Sequence, residues 1–193
     1  MDLKNLSIIR QSFASTVFTH QVQEVAASNK RKKVFIIKLV NIVLVSLVLI
    51  LLVLQTQYPQ QLLFAYIASG LTVSEVIFLI IQLTFNFEQE GLLHKNSALK
   101  YMSLRDHYRL LITDIMNERT PKRELIARRN ALQQEYQSIS DLSPSTGEDE
   151  YVKAQKLLGL NGSGEQFTWT DKEIDRFLPE ELRLVKVSAR KSA

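Results

Sequence analysis

No cysteine occurs in the chain, which excludes disulfides and thiolate metal sites and agrees with a reducing compartment. Histidine is scarce. His20, His94 and His107 lie far apart and none belongs to an HExxH pair, so a zinc site would need carboxylates that the sequence does not assemble. There is no G-x-S-x-G elbow, and the glycine-rich NGSGEQ lacks the Lys-Ser or Lys-Thr of a phosphate loop. No internal repeat is present. The sequence therefore reads as non-enzymatic, with no catalytic residue, metal or cofactor to assign.

Charge is missing from two long stretches. Residues 34–54 hold only three non-apolar positions, Lys38, Asn41 and Ser46, and residues 62–85 hold one formal charge, Glu75. At 1.5 Å per helical residue the two runs span roughly 32 and 36 Å, enough to cross a hydrocarbon core of about 30 Å. The near-neutral mean hydropathy of −0.04 hides this segregation. A soluble enzyme built on one large core is excluded, and two spans cannot enclose a substrate path without oligomerising. The connection Gln55–Gln61 is short, uncharged and broken by Pro59, so the spans are expected to be antiparallel neighbours.

The flanks set the orientation. Lys30 to Lys33 abut the first span and Lys38 lies just inside it, while His94, Lys95, Lys100 and Arg105 follow the second. The intervening loop has no Lys or Arg. The positive-inside rule then puts both termini in the cytoplasm. A cleaved signal peptide is disfavoured by the long preceding stretch and the absence of a small-residue cleavage site.

The remaining segments read as helices. Leu6, Phe13 and Val17 share a face near the N-terminus, expected to pack on other cytosolic helices rather than lie on the bilayer. After Gly91, Ser97, Tyr101, Leu104, Tyr108, Leu111 and Ile115 recur every three or four residues, a coiled-coil-like seam. Thr120-Pro121 is expected to cap a second helix bearing Leu125, Leu132, Tyr136 and Ile139 at the same period. Residues 140–150 form a polar linker. A short helix is expected at Tyr151–Leu158, an extended piece near Phe167–Trp169, a capping box at Thr170–Glu173 and a basic tail from Lys186. The whole is an all-α membrane protein. Residues 1–30 form an amphipathic cytosolic helix, 31–88 a transmembrane hairpin (34–54 and 62–85), 92–139 a cytosolic helical hairpin, and 140–193 a linker with short helices.

Glu75 is the most informative residue. An ionised carboxylate at that depth cannot face lipid without a cost of several kcal/mol. Ala68, Thr72, Glu75, Leu79, Gln82 and Asn86 recur at alternating spacings of four and three, one stripe of mainly small and polar groups. Such a stripe serves either as a helix–helix seam or as the lining of a path built from several chains. A carboxylate and an amide in the same stripe favour the lining. Lys38 and Asn41 lie nearer the cytosolic edge, and a Lys38–Glu75 ion pair is the lesser alternative.

Two stretches are distinctive: HKNSALKYMSLRDHYRLLITDI (His94–Ile115), with Ala98, Tyr101, Leu104 and Arg105 in A-x-x-Y-x-x-L-R, and FTWTDKEIDRFLPEELR (Phe167–Arg183). In the latter, Thr170, Glu173, Ile174, Asp175, Leu178, Pro179, Leu182 and Arg183 carry the pattern. With the order of parts, they are similar to the SLATT family, the SMODS and SLOG-associating two-transmembrane effectors of bacteria. The resemblance covers nearly the whole chain. The resemblance implies an inner-membrane effector of an antiphage system. Such an effector is encoded beside a nucleotide-second-messenger synthase, a nucleotide sensor or a reverse transcriptase, and perforates the membrane when triggered. The expectation is a homo-oligomeric pore or channel-like effector in the lipid bilayer, without direct nucleic-acid binding. The alternative is a non-conducting adaptor that anchors a cytosolic partner.

Overall fold

The computed structural model describes residues 3–160 and 168–184, so NGSGEQ, Phe167 and the basic tail lie outside the described residues. Six helices occur among them, and no strand. The first, α1, runs without interruption from Leu3 to Gln57. Its continuity has a simple cause: neither glycine nor proline occurs before Pro59, so no residue breaks the i to i−4 ladder. The N-terminal helix and the first span expected as neighbours across residue 31 are thus one element. Helix α2 covers Leu63–Thr84, α3 Phe87–Met116, α4 Lys122–Leu142, α5 Glu148–Leu157 and α6 Asp171–Arg176, with a 3-10 turn at Glu180–Leu182. Trp169 lies outside any regular element.

The chain forms two compact units, residues 28–92 and residues 1–27 with 93–193. In the first, the spans pair along one face each. Val34, Ile37, Asn41, Leu44 and Val48 of α1 are half-buried, as are Leu71, Glu75, Phe78 and Gln82 of α2, whereas Phe35, Ile50, Ile77 and Leu83 are exposed. Both segments are long and apolar enough to cross a membrane. Only the shared face is dry within one chain, as expected of helices whose other faces meet lipid.

The second unit has an ordinary aqueous-protein core. Leu6, Ile9, Phe13 and Val17 of α1 pack with Tyr101, Leu104, Tyr108, Leu111 and Ile115 of α3. Leu125 and Ile139 of α4 join them, backed by Leu132 and Tyr136, and Ile174 and Leu178 close the core. Both seams read from the sequence are therefore spent inside the chain. A second cluster places Ala154 of α5 against Phe18, Val22 and Val25.

Several helix ends differ from expectation. Helix α3 begins at Phe87, before Gly91, because Asn86 caps it: its Oδ1 accepts from the Gln89 amide at 3.1 Å. Pro121, not Thr120, is the N-cap of α4. The turn before it closes with Glu118 at φ 53° and Arg119 N–H donating to Asp114 O at 3.1 Å, a Schellman arrangement without glycine. Helix α5 starts at Glu148, where Glu150 Oε2 accepts from Gly147 N–H. The capping box is present: Glu173 N–H donates to Thr170 Oγ1 at 3.3 Å, and Thr170 N–H to Glu173 Oε2 at 2.8 Å. Helix α6 ends at Arg176, three residues short of Pro179.

Candidate functional site

The polar residues of the spans form the candidate site. The hairpin turn fixes their register. Ala65 N–H donates to Gln55 Oε1 at 3.0 Å, tying the end of α1 to the start of α2. From that anchor the stripe on α2 divides in two. Ala68, Glu75 and Gln82, seven residues apart, face α1, with Ala68 fully buried. Thr72, Leu79 and Asn86 lie on the exposed flank. The division follows from helix geometry. A strict seven-residue repeat keeps one line of side chains at a neighbouring helix, and the intervening positions fall beside it.

The exposed flank hides its polarity. Thr72 Oγ1 donates to Ala68 O at 2.9 Å, and Ser69 and Ser74 bond back to Ala65 O and Gly70 O. Each hydroxyl is satisfied by its own helix, so these positions tolerate lipid or a second protein surface. Gly70 has open space where a Cβ would project, and Gly70 and Ser74 stand one helical turn apart.

The seam is not satisfied. Asn41 Oδ1 on α1 and Gln82 Nε2 on α2 are both buried and lack a hydrogen-bond partner. One is an acceptor and the other a donor, on facing helices. Glu75, roughly 14 Å from the end of α2 at Thr84, has no hydrogen-bond or ion-pair partner among the described residues. Lys38 does not pair with it. Lys38 Nζ instead reaches Glu88 Oε2 at 3.2 Å, because a long lysine stem near a span end carries its charge outward. Lys30 pairs with Glu90, and Lys30 and Lys33 stand over the Phe87 ring at 5.4 and 5.9 Å.

Outside the spans, a buried polar core holds the helices together. A model of the SMODS and SLOG-associating 2TM effector domain family 4 matches residues 6–173, which takes in both spans and most of that core. The chain belongs to the SLATT family. No curated protein and no solved structure matches it. The matched segment of this SLATT protein begins at Leu6 and so includes Arg10, which the sequence reading passed over. Arg10 is fully buried and bonds Asp175, within the second motif of the resemblance. A signal was available. Arg10 lies four residues after Leu6 and three before Phe13, which places a charge on the apolar face.

Beside it, Gln11 and Trp169 exchange two bonds: Gln11 Nε2 donates to Trp169 O at 2.6 Å, and Trp169 N–H donates to Gln11 Oε1 at 2.8 Å. Trp169 Nε1 donates to Ser15 Oγ at 3.1 Å. Further along α1, Gln23 Nε2 donates to Pro144 O, which leaves Gln23 Oε1 as the acceptor for His94 Nδ1 at 2.7 Å. The imidazole therefore carries a proton on Nδ1. Burial pushes the Tyr108 phenol up to about 12, with Ser12 opposing the shift. These contacts fasten α3, α4 and the C-terminal segment onto about the first six turns of α1.

Proposed function

We propose that this SLATT protein is a homo-oligomeric, channel-like effector whose path passes Glu75. One observation carries the reading. A carboxylate sits mid-span on a two-helix hairpin, half-buried, with no partner among the described residues. Ionised, it requires water or a countercharge, and two helices are too few to enclose either. Several copies would supply the enclosure, and a ring of carboxylates selects cations.

The exposed Gly70–Ser74 face supports assembly through the spans, since small residues let helix backbones approach closely. The seams of α3 and α4 are already filled within the chain, so self-association rests on the membrane unit. The basic flanks support cytoplasmic termini, and the bacterial effector family supports an inner-membrane location. The family name, a 2TM effector domain, supports a role in bacterial defence, with a nucleotide signal or partner protein acting through the unit outside the spans. That role needs no catalytic step.

The test is the mass of the full chain in nanodiscs together with its current in planar bilayers. Three or more chains per particle with a measurable current support the proposal. An oligomer or monomer without current supports the adaptor reading instead.

A further inference from the structure

One end of the hairpin opens into a cavity of about 100 Å³ between the spans. That is room for several waters or for a phosphate group. Val34, Ile37 and Phe85 form its apolar wall, and Lys38, Gln82 and Glu88 its polar one. Gln82 belongs to this lining, and its Nε2 is buried without a hydrogen-bond partner. It carries two N–H donors, and a rotation of the amide turns one of them into the cavity while the other remains available to Asn41 Oδ1 across the seam.

The surroundings are strongly positive. Residues 28–38 carry five cations, Lys30, Arg31, Lys32, Lys33 and Lys38, against the carboxylates Glu88 and Glu90 on residues 84–92. Three positive charges are left uncompensated. The Lys38–Glu88 pair at the mouth is more than half exposed on both sides, and such pairs exchange partners at little cost. The cavity lies where α2 ends at Thr84, beside the polar stretch that follows the span.

We propose that this cavity binds the phosphodiester of an anionic phospholipid. Gln82 Nε2 and Lys38 Nζ donate to its oxygens, and its acyl chains lie along Val34, Ile37 and Phe85. The excess of positive charge selects a headgroup of net negative charge over a zwitterionic one. This site stands on the membrane hairpin alone and does not require the chain to conduct.

Native mass spectrometry of the full chain in detergent, titrated with phosphatidylglycerol or phosphatidylcholine, tests it. One phosphatidylglycerol should be retained per chain in preference to phosphatidylcholine. Losing a hydrogen bond to a charged group weakens binding about tenfold, so Gln82→Leu and Lys38→Gln should each lower retention by about that factor. Lys32→Gln, on the same basic run but outside the cavity, should change it far less. Should Gln82→Leu fail to yield monodisperse protein, Gln82→Glu replaces the donor with an acceptor of the same shape and should show the same loss. Equal retention of both lipids, or wild-type retention in the Gln82 variants, overturns the proposal. Displacement of the lipid by equimolar inorganic phosphate also overturns it, by assigning the cavity to the free anion.

Discussion

Arg10 Nη2 donates to Asp175 Oδ1 across 2.7 Å, with both side chains buried, although 165 residues separate them. The pair is not isolated. Arg10 also reaches Leu182 O at 3.2 Å and Asp171 Oδ1 at 3.4 Å, and Asp175 Oδ1 accepts from Leu184 N–H at 3.2 Å. One guanidinium thus closes the C-terminal segment onto the start of α1. Removing a single partner leaves a buried charge uncompensated, at a cost of roughly 3–5 kcal/mol. Asp175→Ala should lower stability by about that amount, while the joint change Arg10→Met with Asp175→Leu should recover most of it. Denaturant titration followed by the emission of Trp169, the sole tryptophan, reports both.

The seam residues lead to a second expectation. Leu104 is completely buried between α1, α3 and α4 in a single chain. Leu104→Ala should cost about 2–5 kcal/mol, the range for a truncated core leucine. Leu104→Asp should unfold the unit outside the spans rather than merely separate subunits. Trp169 emission combined with size exclusion distinguishes the two. Dissociated protein that keeps native emission would show that Leu104 serves an interface.

His20 makes the stability of that unit depend on pH. Burial holds its pKa below the ordinary value of 6.5, and the Arg105 guanidinium adds to the effect, while Glu24, 3.9 Å away, opposes it. The folded state therefore binds fewer protons than the unfolded one. The stabilisation is complete above pH 6.5 and is lost as pH falls through 6.5 toward the lower folded value. Melting temperature in detergent should fall on acidification from about pH 7.5 to 5.5, and His20→Gln should flatten that dependence. Parallel profiles for wild type and variant would remove His20 as the cause.

The two-span architecture was legible because lipid demands it. Twenty apolar residues in a row have no other economical use, and the boundaries 62–85 and Leu63–Thr84 nearly coincide. The seam of α3 was legible for the same reason, since a period near 3.5 identifies a buried line. Which surface would bury that line was not legible. Tyr101 to Ile115 could have met another chain, and only the tertiary fold assigns them to Leu6, Ile9 and Phe13. The polar stripe shows the opposite case. Spacing put Thr72 and Glu75 on one line, but the exact rotation of α2 against α1 decides that Glu75 turns inward and Thr72 outward. The Lys38–Glu88 pair was hidden because it depends on where α3 begins, and Asn86 moved that point ahead of Gly91.

Sidedness has a direct check, because the chain lacks cysteine. Single cysteines at Leu142 and Tyr58, both exposed, can be probed with an impermeant thiol reagent in intact cells. Position 58 should label and position 142 should not. The reverse pattern would invert the topology.

The central claim, that a conducting path in the assembled protein passes Glu75 at the α1–α2 seam, is tested most directly by planar-bilayer currents from particles of matched size. Wild-type protein should conduct with a preference for cations. Glu75→Gln should weaken that preference without changing oligomer mass, and Glu75→Leu should suppress the current by drying the constriction. Currents and selectivity unchanged in both variants, or no current from a well-formed wild-type oligomer, would contradict it.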